Sequence, residues 1–382
     1  MENRLKVIII GSAYPFRGGG ISTYNERLAK AFLDRGNDVE IFTFSLQYPG
    51  FLFPGKTQYS AEAPPDGLKI TIAVNSINPF NWIKVGRKIG KMRPDLVIVR
   101  YWMPFMAPCL GTISGIIRKN RFTKVIAITD NIIPHERMPG GKLLSHYFVN
   151  RCDAFIAMSR AVLADLEKLN SQKPRRYNPH PLYDNFGASI PKEVAKKNLG
   201  LDPDTSYILF FGFIREYKGL DLLLKAFADI RLRKYPVKVL VAGEFYVDPK
   251  PYYELIAASG IQDLVLLHTE FIPNTDIVNY FCASDIVVQP YKDATQSGVT
   301  QVAYHFDKPM ITTNVGGLSE MVPDGKVGYV VNPDYEEIAL SLLKYFEENK
   351  EAEFTEHVRE EKKRFSWDQL IDQVYELLNQ IK

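Results

Sequence analysis

The chain has 382 residues, of which 46% are hydrophobic and 24% are charged. This length exceeds what a single hydrophobic core usually supports, so we expect two domains of ordinary globular composition. No apolar run reaches the roughly 20 residues of a membrane-spanning helix, and the N-terminal apolar run is interpreted as a buried strand rather than a signal. Three widely spaced cysteines without a metal-ligand pattern indicate a reducing, cytoplasmic compartment.

The net charge of +3 hides an uneven distribution along the chain. Residues 1–188 carry a net charge of +12, whereas residues 189–382 carry −9. We therefore expect the first half to face an anionic partner, either a membrane surface or an anionic substrate. Plain solubility is the alternative. Nucleic acid is not expected, because the basic surplus comes without a recognised binding motif.

The first half opens with a strand, a glycine-rich turn and a helix. The strand covers Leu5–Ile10, the turn ends in Gly18, Gly19 and Gly20, and the helix begins at Ile21. Glycines let the backbone approach a ligand closely, and the N-terminus of a helix attracts anions. The turn is therefore a candidate binding loop, with a flexible surface turn as the alternative.

Strands and helices continue to alternate through the first half. Further strands are predicted at 39–44, 70–74, 95–99, 125–129 and 154–158. A basic helix spans Trp82–Met92, and an apolar helix spans Met103–Ile117. The apolar helix either lies on an anionic bilayer or belongs to the core. Residues Ser171–Arg176 are interpreted as a polar, basic loop.

A carboxylate stands at the end of the predicted strand 125–129. Asp130 follows this strand directly, and His135 and Glu136 lie further along the same loop. Because ligands of parallel sheets bind at the carboxyl ends of the strands, Asp130 is a candidate site residue. The alternative is a turn or cap residue, a role that Asp favours.

The alternation breaks at 178–204, where proline, glycine and charge accumulate, and we place the interdomain linker there. Strands are then predicted at 207–211, 237–242, 265–268, 286–289, 310–312 and 328–331. An amphipathic helix capped by Ser366 follows. The sequence therefore predicts an α/β protein with two Rossmann-like, doubly wound domains facing across a cleft, with boundaries at 1–185 and 186–364.

The second domain contains the strongest binding signal of the chain. A buried strand ends at Phe211, a loop carries Arg215 and Lys218, and a helix ending at Phe227 follows. Loop amides and a helix N-terminus are partly positive, so two further cations predict a ligand with more than one negative charge, such as a diphosphate. A solvated loop with two ordinary surface cations is the alternative.

These features, in this order, resemble the GT-B glycosyltransferases, most closely glycosyltransferase family 4, over nearly the whole chain. The similar segments are the glycine loop at 18–20, the cationic loop at 212–219, the turn at Gly243, Glu270–Ile272, Ala283–Pro290, Lys308–Glu320, Asp324–Gly328 and the closing helix. The resemblance implies an acceptor-side first domain, onto which residues 365–382 pack back. It implies a second domain that binds a nucleotide-diphosphate sugar as donor substrate, with no metal and no tightly bound cofactor.

The resemblance also implies roles for individual residues. It gives catalytic positions to Arg215, Lys218 and Asp130. The positions that it implies for donor binding are Gly18, Gly19, Gly20, Gly212, Gly243, Glu270, Phe271, Ile272, Asp293, Ser297, Gly298, Val299, Thr300 and Gln301. Within this set, Glu270, Phe271 and Ile272 match the stretch that usually contacts the nucleobase.

Two departures from the family concern the donor sugar. The family usually carries a glutamate pair, separated by seven residues, just after the position of Pro290. Here these positions fall on Ala294 and Val302 or, with a slip of one residue, on Asp293 and Gln301. In addition, related sequences often have His where this chain has Asp130. The donor sugar therefore stays open.

The implied activity is retaining transfer of a sugar to a glycan or lipid-linked acceptor, an anionic one included, in cell-surface polysaccharide or glycoconjugate synthesis. Arg215, Lys218 and the amides at 18–20 and 297–300 would stabilise the departing diphosphate. The enzyme would be cytoplasmic, with peripheral contact to the anionic inner face of the cell membrane as an option. Two alternatives are a sugar-nucleotide epimerase that uses Asp130, His135 and Glu136, and a catalytically impaired nucleotide-sugar-binding protein.

Overall fold

The computed structural model describes residues 4–17, 20–50, 57–60, 63–133, 140–294 and 297–381. The chain divides into two compact units. Unit 1 comprises Met1–Pro181 and Ser366–Lys382, and unit 2 comprises Leu182–Phe365. Unit 1 is therefore built from two separate stretches of the sequence.

Unit 1 contains a parallel sheet whose seven described strands are β1 (Lys6–Ile10), β2 (Asp38–Leu46), β3 (Lys69–Asn75), β4 (Leu96–Tyr101), β5 (Lys124–Thr129), β6 (Ala154–Ala157) and β7 (Arg175–Tyr177). Their order across the sheet is β3-β2-β1-β4-β5-β6-β7. The central strands are rich in Ile and Val, which is typical of parallel strands covered on both faces. The order reverses between β1 and β4, so ligands are expected beside the carboxyl ends of these strands.

The helices described in the first stretch of unit 1 are α1 (Ile21–Asp34), α2 (Pro79–Met92), α3 (Ala107–Ile117), α4 (Gly141–Asn150) and α5 (Arg160–Leu169). The helix α3 packs between α2 and α4. Its side chains Leu110, Ile113 and Ile117 are fully buried. The alternative in which this apolar segment lies on a bilayer is therefore wrong, because the core of unit 1 already covers it.

Unit 2 repeats the architecture with six described strands, β8 (Ser206–Phe211), β9 (Val237–Ala242), β10 (Val265–His268), β11 (Ile286–Gln289), β12 (Met310–Thr313) and β13 (Gly328–Val331). They are parallel and lie in the order β10-β9-β8-β11-β12-β13. The order reverses between β8 and β11, which are hydrogen-bonded neighbours. The carboxyl ends of these two strands are the expected ligand position of unit 2.

The helices described in unit 2 are α6 (Lys192–Asn198), α7 (Leu220–Phe227), α8 (Lys250–Ala258), α9 (Ile277–Ala283), α10 (Gly298–His305), α11 (Leu318–Met321), α12 (Tyr335–Glu347) and α13 (Glu351–Glu361). The stretch 178–204, predicted to be the interdomain linker, includes the boundary between the units at Pro181 and Leu182, and its later part forms α6, whose Ala195 is fully buried. One prediction for unit 1 is wrong, because the residues predicted to form a polar loop at 171–176 reach into the edge strand β7, which pairs with β6.

The final described helix, α14 (Trp367–Ile381), belongs to unit 1. Its apolar face, with Leu370, Val374 and Leu377, is fully buried. Arg35, just after α1, donates to Asp368 and to Asp372 of α14 at 2.9 Å each. The predicted cap is confirmed, since the hydroxyl of Ser366 accepts a hydrogen bond from the backbone N–H of Asp368.

Gly328→Ala is expected to destabilise unit 2 by at least about 3 kcal/mol. A Cβ at Gly328 would lie 1.7 Å from the carbonyl oxygen of Met310, and the residue has φ +148°. Gly325→Ala is the matched control, because Gly325 also has positive φ but faces open space. We expect this variant to be destabilised by only about 1 kcal/mol. Urea unfolding would measure both. Equal costs for the two variants would contradict the close approach of β13 to β12.

Candidate functional site

The two loops beside the switch point of unit 2 form the candidate site. The loop after β8 carries Arg215 and Lys218 and leads through a short 3-10 helix, Glu216–Lys218, into α7. The loop after β11 leads into α10. The backbone N–H of Lys292 in the second loop donates to the carbonyl of Tyr217 in the first at 2.7 Å. The structure therefore brings together the two loops at which the sequence placed the donor phosphates.

Two glycines allow the backbone beneath these loops to pack without side chains. A Cβ at Gly243 would lie 2.2 Å from the carbonyl oxygen of Gly212. A Cβ at Gly212 would lie 2.8 Å from Nζ of Lys218 and 3.7 Å from Cγ2 of Val299. Gly212 therefore lies beside the ammonium group of Lys218, and Gly243 and Val299, two further predicted donor positions, lie beside Gly212.

The ammonium group of Lys218 lies in apolar and like-charged surroundings. Its Nζ is 5.5 Å from the centre of the Tyr291 ring, and Tyr291 is buried. Among the described residues, no carboxylate pairs with Lys218 or Arg215, and the neighbouring Lys292 pairs with Asp221 instead. Burial, and to a smaller degree the charge of Arg215, lower the pKa of Lys218 from 10.5 to about 7. An anion beside this group would restore its charged form.

Arg215 lies against an aromatic cluster on the other side of the loop. Its guanidinium is 5.1 Å from the ring centre of Tyr246. Phe213 stacks on Tyr246 at 4.4 Å and lies 6.4 Å from Phe271, one of the residues predicted to contact the nucleobase. Phe271 and its neighbour Ile272 are half-buried, while Glu270 is exposed. The predicted base-contacting stretch therefore lies on the Arg215 side of the site.

The loop after β11 provides the N-terminal end of α10. Ser297 is buried, and its hydroxyl lies 3.3 Å from that of Tyr291. Gly298 and Val299 are half-buried, whereas the side chains of Thr300 and Gln301 are fully buried. The Thr300 hydroxyl donates to Gln289 in the core at 3.0 Å, and Asp293 is exposed. The two residues at the slipped glutamate positions, Asp293 and Gln301, thus differ completely in accessibility.

The candidate residues of unit 1 lie beside its own switch point. Gly20 has φ +60° and precedes the first turn of α1, whereas Gly18 and Gly19 lie outside the described residues. The turn is anchored by Tyr14, whose backbone N–H donates to the Glu26 carboxylate at 2.8 Å. His135 and Glu136 also lie outside the described residues.

Asp130 is held in a buried ion pair that the sequence analysis missed. Arg100 donates from Nε to Oδ2 of Asp130 at 2.8 Å and from Nη2 to Oδ1 at 2.5 Å. The exposed fractions are 2% for Arg100 and 7% for Asp130. The Arg100 guanidinium also lies 3.7 Å from the ring centre of Tyr24. Both carboxylate oxygens therefore already accept hydrogen bonds from Arg100.

A buried histidine completes this cluster. The ring of His180 contacts Tyr24 edge-on at 5.0 Å, and its Nδ1 lies 2.7 Å from the carbonyl oxygen of Pro181. Burial and the positive charge of Arg100 lower the pKa of His180 to about 3. In the sequence, the feature that could have indicated this cluster is Arg100, a cation within the otherwise apolar strand β4.

In the ranges that the structure describes, no group of three or more His, Cys, Asp or Glu side chains could hold a metal ion. Nor is any described helix long and apolar enough to cross a membrane. The cysteine thiols Cys109, Cys152 and Cys282 are buried and unpaired with one another.

Known proteins share this architecture. Sucrose-phosphate synthase from Thermosynechococcus elongatus has a TM-score of 0.76 at 18% identity, covering 98% of both chains. The HepE protein of Anabaena in complex with UDP has a TM-score of 0.74 at 16% identity, covering 98% of this chain and 100% of the other. The chain thus has the fold of GT-B glycosyltransferases, which confirms the predicted α/β class.

Sequence comparisons identify the family. The family model for glycosyltransferase family 4 matches residues 18–177, and the model for glycosyl transferases group 1 matches residues 191–365. D-inositol 3-phosphate glycosyltransferase 2 of Catenulispora acidiphila is 27% identical over 380 residues, covering 91% of this chain and 87% of that protein. A D-inositol 3-phosphate glycosyltransferase of Thermobifida fusca is 28% identical, covering 82% and 77%. The chain belongs to the glycosyltransferases of group 1, family 4 type, as its sequence features predicted.

Asp130→Asn is expected to destabilise the protein by about 3–5 kcal/mol, because it leaves the buried Arg100 charge without its counter-charge. The double variant Arg100→Met, Asp130→Leu removes both charges and should cost clearly less than the single variant. Urea unfolding at neutral pH would measure both. A cost below about 1 kcal/mol for Asp130→Asn would show that the ion pair is not formed as described.

Lys218→Met is expected to stabilise the protein at pH 6 by about 1–3 kcal/mol. The lowered pKa means that the folded protein carries the charged lysine at a cost, which is fully present below pH 7 and disappears as the pH rises to 10.5. The difference between variant and wild type should therefore narrow from pH 6 to pH 10. Lys292→Met, at an exposed cation paired with Asp221, should show no such trend. A constant difference across this range would contradict the assigned environment of Lys218.

Proposed function

We propose that this glycosyltransferase moves a sugar from a nucleotide-diphosphate sugar to a glycan or lipid-linked acceptor, with unit 2 binding the donor and unit 1 the acceptor. The observation that carries the proposal is the pair of cations, Arg215 and Lys218, without an acidic partner among the described residues at the switch point of unit 2. A diphosphate supplies the missing negative charge.

The pair would act on the leaving group. As the bond between the sugar and the diphosphate breaks, negative charge accumulates on the phosphate oxygens. Arg215, Lys218 and the backbone amides at the start of α10 would stabilise this charge without having to reorient. The aromatic cluster and Glu270–Ile272 are proposed to hold the nucleoside, with UDP as the first candidate because the HepE structure contains UDP.

We propose that transfer proceeds with retention of configuration at the sugar, without a protein nucleophile. This step rests on the family resemblance. Asp130 is proposed to act as a partner of Arg100 rather than as an acid or base, since both of its oxygens are already hydrogen-bonded. In that role it would keep the carboxyl end of β5 close to neutral.

The acceptor side is proposed to work at an anionic surface in the cytoplasm. Residues 1–188 carry the positive net charge, and they form most of unit 1. The names of the relatives from Catenulispora and Thermobifida contain D-inositol 3-phosphate, a compound that carries a phosphate. An anionic or lipid-linked acceptor in cell-surface polysaccharide or glycoconjugate synthesis, met at the inner face of the membrane, fits this charge.

A thermal-shift screen with UDP, GDP, ADP and their sugars would identify the donor, since a ligand that binds only the folded state raises the melting temperature. With that donor, Arg215→Ala combined with Lys218→Ala should lower turnover at least about tenfold, or roughly 1.4 kcal/mol. Lys292→Ala is the matched control and should retain activity. A smaller loss in the double variant would overturn the leaving-group assignment. Nucleotide binding without transfer to any acceptor would favour the impaired binding protein instead.

A further inference from the structure

The outer face of α2 is an exposed surface that combines apolar and basic side chains. Phe80, at the start of the helix, is 85% exposed. Ile83 follows one turn later and is also exposed. The basic residues Lys84, Arg87, Lys88 and Lys91 occupy the rest of this face and are exposed along its length. On the opposite side of the helix, Val85, Gly86 and Ile89 are buried, and Trp82 and Met92 pack against the core of unit 1.

The charge on this face is uncompensated. The sequence contains no Asp or Glu from Gly67 to Pro94 and none from Leu96 to Thr129. Arg118 pairs with Asp153 at 2.7 Å, but no ion pair joins the four basic residues of α2, or the nearby Lys119, to any acidic side chain in the described part of the chain. Exposed lysines elsewhere in the chain, such as Lys168 and Lys363, do have such a partner.

The basic surface extends beyond the helix itself. A shallow depression runs between α2 and the end of α3, and it is lined by Ile83, Arg87, Lys91, Ile116 and Lys119. A second depression lies along α2 between Phe80 and Lys91. We call this combined surface, with Phe80, Ile83, Lys84, Arg87, Lys88, Lys91 and Lys119, the α2 face. It offers apolar side chains and cations side by side over one continuous area.

We propose that the α2 face docks unit 1 onto an anionic lipid bilayer. A helix whose outer face carries both a protruding aromatic residue and several cations matches the interfacial arrangement, in which apolar side chains enter the boundary of the acyl chains and cations meet the headgroups. Lys and Arg residues close to an anionic leaflet add electrostatic binding energy. This energy decreases with distance from the membrane surface and is lost beyond about one Debye length. The cations at Lys84, Arg87, Lys91 and Lys119 contact the headgroups, and Phe80 inserts between them.

A bilayer is the occupant that uses every feature of the α2 face. A polyanion such as nucleic acid would use the cations, but it would leave Phe80 and Ile83 exposed to water. A protein partner would have to bring acidic groups and an apolar pocket together over the same area. This inference rests on the proposed function, in which the acceptor is met at a membrane. It moves the membrane contact from α3, which is buried, to α2.

Vesicle sedimentation of the full chain tests the proposal, with phosphatidylcholine vesicles that contain about one third phosphatidylglycerol against pure phosphatidylcholine. Wild type should bind the anionic vesicles, and binding should weaken as salt rises from about 0.1 to about 0.5 M. The variant Lys84→Gln, Arg87→Gln, Lys91→Gln, Lys119→Gln should reduce the partition coefficient at least about tenfold. Phe80→Ser should reduce it several-fold.

Matched controls remove the same number of positive charges, or one exposed apolar side chain, at positions outside the α2 face. The charge control is Lys168→Gln, Lys225→Gln, Lys250→Gln, Lys363→Gln, at exposed positions. The apolar control is Ile230→Ser, at a residue that is 71% exposed. Both controls should bind vesicles like wild type. Unchanged melting temperatures and unchanged nucleotide shifts in the α2 variants would show that folding and the donor site are intact.

The outcomes separate the two proposals. Failure of wild type to bind anionic vesicles, or equal losses in the α2 variant and the charge control, would overturn the docking surface. The bilayer would be overturned, and a polyanion favoured as the occupant, by two results together. The fourfold α2 charge variant would lose vesicle binding while Phe80→Ser keeps it, and wild type would bind a soluble polyanion as tightly as it binds anionic vesicles. Vesicle binding without any nucleotide-induced shift would instead overturn the proposed function and leave the docking surface standing.

Discussion

A cation that is partly withdrawn from water without an acidic partner is costly, and the half-buried Lys218 is in that condition among the described residues of unit 2. The absence of a Cβ at Gly212 leaves room for the lysine, because a Cβ there would lie 2.8 Å from its Nζ. Tyr291 covers the group from the side of β11. A bound anion would supply the negative charge that the described residues around Lys218 lack. Under the proposed function, stability and function would be opposed at this residue, as is common at functional sites.

In unit 1, by contrast, the buried cation has an acidic partner. Arg100 and Asp130 neutralise each other through two hydrogen bonds, and Tyr24 covers the guanidinium. A paired buried charge attracts no further ion, whereas an unpaired one does. The two units share a fold, and the difference between a paired and an unpaired cation is the reason that we propose unit 2 as the site of the anionic ligand.

The strands of both units were predictable because buried parallel strands are continuous apolar runs, and most of their bounds agree within two residues. Helix α6 and strand β7 were missed because both are short, polar and only partly buried. Arg215 and Lys218 were found because their loop follows a buried strand. The pairing of Arg100 with Asp130 was not, because it joins neighbouring strands whose order only the fold reveals. The burial of Gln301 and the exposure of Asp293 likewise depend on how α10 packs.

The return of α14 to unit 1 has a consequence for synthesis on the ribosome. Residues 182–365 form unit 2 as one uninterrupted stretch, whereas the sheet of unit 1 receives its last covering helix only after all of them have been translated. The nascent chain can therefore complete unit 2 while Phe32 and Asn37 still lack Tyr375, their partner from α14. Domains generally fold from the N-terminus onward as they emerge. Here the half that is made first is the half that is finished last.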